Sequence, residues 1–90
     1  VKNGIGQEIT VGSVVTKGGD RNSLMRIGVV LSVNEENRTA RISWHFESRW
    51  YNRAGTSHAT TYGGRPGNCH ANYLTVVPPE TLELAKAAVV

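Results

Sequence analysis

A single cysteine, Cys69, excludes an intramolecular disulfide framework and fits a reducing compartment, so a cytoplasmic setting is expected. No apolar run approaches the roughly 18 residues that a membrane-spanning helix needs, so no membrane partner is expected. Residues 1–10 lack a basic start followed by an apolar core, and no signal peptide is expected. There is no internal repeat and no low-complexity tract. Hydrophobic residues make up 39% of the chain and charged residues 19%, too apolar a mixture for a disordered tail. Ninety residues are enough for one core and no second domain.

The chemistry of catalysis is also thinly represented. His45, His58, Cys69 and His70 are the only soft metal ligands, and they do not form two compact ligand pairs as a zinc site would. No metal and no cofactor are expected. Gly63-Gly64-Arg65-Pro66-Gly67 lacks the Lys-Ser/Thr ending of a phosphate loop and opens no helix. Cys69 beside His70 is not informative as a nucleophile pair, because such partners meet in space rather than in sequence. A barrel of this size has little room for a water-excluded pocket. The expectation is a protein that is not an enzyme. Asn37-Arg38-Thr39 has the form of a glycosylation triplet, and with nothing else pointing to secretion it reads as a chance match.

What is present is a local excess of positive charge. Ten Lys and Arg face seven Asp and Glu, a net charge of +3. Residues 38–70 hold five arginines and one acid, Glu47, and all six aromatic residues fall between Trp44 and Tyr73. Arginines interleaved with rings suit nucleic acid, with cations for phosphates and rings for bases.

The hydrophobic pattern has period two. Val11 to Thr16 reads as a first strand, and residues 17–23 as a loop. Ile27, Val29, Leu31 and Val33 alternate with Arg26, Gly28, Val30 and Ser32. After the turn Asn34-Glu35-Glu36-Asn37, Ala40, Ile42, Trp44 and Phe46 point one way, and Arg41, Ser43, His45 and Glu47 the other. The two strands form a hairpin. Between Glu47 and Cys69 the pattern breaks into a long Gly-rich loop, with room for a short strand near Trp50-Tyr51 or Thr60-Tyr62. Tyr73 to Val77 reads as a closing strand stopped by Pro78-Pro79, and Pro79 to Val90 as a helix. The expected fold is all-β: a small SH3-like barrel of about five strands over 11–77. A lead-in over 1–10 precedes it, and a short C-terminal helix over 78–90 follows.

Val11-Gly12-Ser13-Val14-Val15, the loop at Lys17-Gly18-Gly19, Arg26-Ile27-Gly28-Val29-Val30 and the return strand Ala40-Arg41-Ile42-Ser43-Trp44 together resemble a KOW motif. This strand–loop–strand unit belongs to SH3-like barrels of ribosomal proteins and transcription factors. The resemblance places the family's glycine at Gly28 and implies a role in transcription or translation. It departs from the pattern in a first loop with few cations and in the long 47–70 insertion. Independently of the family, a glycine inside a strand marks a bulge or a close backbone approach.

The expected function is nucleic-acid binding, DNA or RNA, through Arg38, Arg41, His45, Arg49, Trp50, Tyr51, Arg53, Tyr62 and Arg65. The arginines meet phosphate through their planar donor forks and one ring of the Trp50-Tyr51 pair stacks on a base. The alternative is a protein-interaction adaptor, or a small subunit or inhibitor, docking on a larger machine through Trp50 and Tyr51.

Overall fold

A computed structural model describes residues 1–17, 25–51, 56–61 and 66–88; over 48–51, 56–61 and 88 it describes the backbone. The chain is mainly β. Strands β1 (Val14–Lys17), β2 (Met25–Asn34), β3 (Thr39–Tyr51), β4 (Thr56–Thr61), β5 (Pro66–His70) and β6 (Leu74–Val77) are followed by helix α1 (Glu80–Ala88). A single 3₁₀ turn, Ala71–Tyr73, links β5 to β6. All pairings within the sheet are antiparallel, in the order β4-β3-β2-β1-β6, with β5 also on β3. No helix among the described residues is long and apolar enough to cross a membrane.

β3 organises the sheet. One edge pairs with β2 along most of its length, from Thr39↔Asn34 to Ser48↔Met25. The other edge is divided: Thr39 to Ser43 pair with β5, and Phe46 to Tyr51 pair with β4. The change of partner falls at residues 44–45, and so does a bulge. Ile27 faces Phe46 while Gly28 faces Trp44, so His45 has no partner on β2. A second shift lies between Val30↔Ile42 and Ser32↔Arg41, which leaves Leu31 as the extra residue. Each bulge inverts the alternation of side chains beyond it.

That inversion corrects the simple two-faced hairpin. Val15, Val30, Ala40, Ile42, Trp44, Cys69, Ala71 and Leu74 share one buried cluster on the inner face. Val14, Ile27, Phe46 and Leu82 form a second cluster, supported by Val29, Val77 and Ala85, on the outer face. Phe46 therefore lies across the sheet from Trp44, not beside it. Leu31, expected in the core, is exposed, and Val30, expected outside, is buried. Glu47, expected in solvent, is 4% exposed and pairs with Arg26, Nε to Oε2 3.5 Å. The Arg26 guanidinium lies 6.0 Å from the Trp44 ring centroid, within reach of a cation–π attraction.

Two boundaries differ from the sequence reading. Val11 is not in a strand: Gly12 has φ 91° and the Ser13 amide donates to the Thr10 carbonyl at 3.0 Å, which makes a turn and leaves Val11 exposed. The stretch after Glu47 is not one loop, since β3 runs on to Tyr51 and β4 and β5 follow. Polar strand residues hid these elements, because pairing to β3 supplies the order that hydrophobic alternation normally signals.

The N-terminal segment is anchored on the sheet at Val1, Asn3, Gln7 and Ile9. Val1 and Ile9 join the inner core. The Gln7 side-chain amide donates to the Val76 carbonyl at 3.0 Å and accepts from the Val76 amide at 2.9 Å, while Asn3 donates to the Leu74 carbonyl at 2.9 Å. These bonds occupy the outer edge of β6, which would otherwise offer a template for strand addition. The Val1 ammonium meets Glu35 at 2.6 Å and Glu8 at 2.8 Å. The two carboxylates raise the pKa of the ammonium, and the ammonium lowers that of Glu8.

α1 follows Pro78-Pro79, whose carbonyls accept the Thr81 and Leu82 amides at 2.9 and 3.3 Å. Glu80 and Glu83 lie in its first turn and Lys86 in its last, the arrangement the helix dipole favours. Leu82 and Ala85 seal the outer cluster. The helix covers only part of the outer face.

Candidate functional site

The outer face beyond the helix is polar and open. In β3, Thr39 and Arg41 alternate with the inward Ala40 and Ile42. Their partners on β5 are His70 and Asn68, on either side of the inward Cys69. Cross-strand partners point to the same side of a sheet, so Thr39, Arg41, Asn68 and His70 form one four-residue patch. Ser32 and Asn34 border it from β2. Arg41 lines a hollow of about 350 Å³ together with Ser32, Val33, Asn34, Asn37, Thr39 and Asn68.

The β2–β3 turn forms the rim. The Asn37 amide donates to Asn34 Oδ1 at 3.0 Å, an Asx-type turn. Arg38 has φ 56°, left-handed backbone in a residue other than glycine. This conformation costs an ordinary residue about 1–2 kcal/mol, and it is held by tertiary bonds. The Arg38 carbonyl accepts the Ala71 amide at 2.9 Å, and its guanidinium reaches the Lys2 carbonyl at 3.4 Å.

Past His70 the patch continues onto the 3₁₀ turn. His70 Nδ1 accepts the Asn72 amide at 3.2 Å, capping the turn. The His70 and Tyr73 rings meet edge to face, with centroids 6.3 Å apart at 75°. Tyr73 is 67% exposed.

The sequence-derived candidates separate into groups. Arg38 lies on the turn with its guanidinium at the Lys2 carbonyl, and Arg41 lies on the neighbouring face; of the two, Arg41 lines the hollow. Ser43, expected on the same exposed stripe, is buried between its partners Val29 and Pro66. His45 is half-buried at the bulge, and its displacement from the strand alternation separates it from Arg41. Arg49, Trp50 and Tyr51 lie on the far half of β3, paired with β4. Eight residues of strand separate Arg41 from Arg49, about 26 Å at roughly 3.3 Å each, so the two are not one compact site. The side chains of Arg49, Trp50 and Tyr51, and Arg53, Tyr62 and Arg65 entirely, lie outside the described residues. Cys69 and His70, adjacent in sequence, lie on opposite faces of β5 and cannot converge on one ligand. Burial, only partly offset by Lys17 and Arg26, pushes the Cys69 thiol pKa up, the reverse of an activated thiolate.

Asn34, Asn37, Thr39, Asn68, His70 and Tyr73 were not legible as site residues. The asparagines resemble ordinary turn and loop formers, and Asn68 lies in a stretch without strand periodicity. Only the β3–β5 pairing brings them to Arg41. No protein-family model, curated protein or solved structure matches this chain.

Proposed function

We propose that this domain is a non-enzymatic nucleic-acid-binding module of the cytoplasm, built as a small SH3-like, KOW-type barrel and working in transcription or translation. The observation that carries the reading is the open polar face around Arg41, with Arg38 at its rim in a backbone conformation that costs stability. Costly backbone of this kind concentrates at functional sites. A cation flanked by amides and hydroxyls is suited to phosphate oxygens and base edges. Barrel closure is supported by Cys69 on β5 and Leu74 on β6. β5 pairs with β3 and β6 with β1, and both strands contribute to one core.

The test is a salt titration of binding to single- and double-stranded DNA and RNA. Affinity is expected to fall steeply with salt. Replacing Arg38 and Arg41 together by Ala is expected to flatten the log–log slope by about 1.4 for single strands or about 1.8 for duplex. No binding at low salt, or a slope that the double variant leaves unchanged, overturns the proposal. The first of these outcomes would turn the search to a protein partner met through Trp50 and Tyr51.

A further inference from the structure

The open face has a cationic hollow at one end and an aromatic ring at the other. We infer that it takes a single strand with unstacked bases, and that Tyr73 is its stacking platform. This rests on the nucleic-acid reading above and adds to it the class of strand and a residue outside the arginine set.

Among the described residues, Trp44 and Phe46 lie in the two cores, and Tyr73 is two-thirds exposed. Its backbone is fixed on both sides, by Ala71 and Leu74 in the inner core. Its ring is braced by His70, which is itself held by the cap bond to Asn72. An exposed ring on a rigid turn loses little entropy when a base stacks on it. Because His70 Nδ1 accepts the cap bond, the neutral ring carries its proton on Nε2, which remains a donor. Thr39↔His70 and Arg41↔Asn68 are successive same-face pairs, so Arg41, Asn68 and His70 lie along one line of the face, and the Tyr73 ring meets that line at His70.

The geometry of that line favours a single strand. Same-face residues on a strand repeat at about 6.6 Å, roughly twice the 3.4 Å rise per nucleotide of a stacked duplex strand. Contacts at this interval suit bases drawn apart. Bases inside a duplex offer no free ring face to Tyr73, whereas splayed bases do. The hollow is lined by strand and turn residues, and no helix among the described residues lines it to enter a major groove. Arg38 and Arg41 supply the cations of the turn and the face, beside the exposed carboxylates Glu35 and Glu36.

The experiment compares a short oligo-dT, an oligo-rU of equal length and a mixed-sequence duplex of equal length, with the wild-type chain, Tyr73→Ala and Tyr73→Phe. Both single strands are expected to bind more tightly than the duplex. Tyr73→Ala is expected to weaken single-strand binding about 5- to 150-fold, while Tyr73→Phe retains most of it. Thermal unfolding of the variants checks that this exposed position leaves the fold intact. Equal affinity for single strand and duplex overturns the inference. So does a loss below about twofold in Tyr73→Ala while nucleic acid still binds; either result leaves the broader function standing. Binding of none of the three probes by the wild-type chain overturns both.

Discussion

A methyl group on Gly28 would lie 2.5 Å from the Ser43 carbonyl oxygen, 2.7 Å from Ile42 Cγ2 and 3.0 Å from Trp44 Cε3. The first of these neighbours is backbone of the paired strand and cannot turn aside. Gly28 adjoins the bulge at His45, so the glycine allows β3 to pass closely where the sheet changes partner. Gly28→Ala is expected to destabilise the chain by about 1–3 kcal/mol, toward the upper end, through overpacking. Gly4→Ala, whose nearest neighbour would be 3.8 Å away, is the control that should change little. Urea unfolding of the two variants measures the difference. At Cys69 the expected effect depends on pH. The folded thiol titrates above its ordinary value of 9.0 because it is buried. The unfolded thiol ionises near that ordinary value, so its contribution to stability is complete below about pH 9 and lost as pH rises further. Unfolding midpoints at pH 7, 9 and 10 should fall more steeply for the wild type than for Cys69→Ala. Parallel curves would remove the thiol as the cause.

At the scale of elements, α1 is a short helix whose stability comes from docking. Nine residues are too few to be stable alone in water. Leu82, 8% exposed, is its contact with the outer cluster, while Leu84 is 71% exposed. Leu82→Ala is expected to cost about 2–5 kcal/mol, and Leu84→Ala less than about 0.5 kcal/mol. Chemical denaturation read by circular dichroism distinguishes the two. Equal losses would mean that the helix is not held through Leu82. The β2–β3 hairpin illustrates the reach of sequence reasoning at this scale. Its strands and turn were legible from alternation and from the asparagines around Glu35-Glu36. The extra residues Leu31 and His45 were not, because a bulge is a property of two strands in register and neither strand alone encodes it. The same limit explains why Glu47 was expected in solvent and is instead paired with Arg26.

Over the whole molecule, one sheet carries two cores. The inner core gathers five strands and the N-terminal segment, and the outer one is completed by the helix. The helix leaves part of the outer face uncovered, and that part is the candidate site. The all-β class, the central hairpin, the closing strand, the terminal helix and the local excess of arginine were all legible along the chain. Each depends on neighbours in the chain: period-two patterning, turn residues, proline stops and charge composition. Strand pairing set which face each apolar residue serves, made strands of polar residues 56–61 and 66–70, and paired Arg41 with Asn68 rather than bringing it to Arg49. Those outcomes depend on which strand pairs with β3 and where the register slips, and such choices are made between segments far apart in the chain.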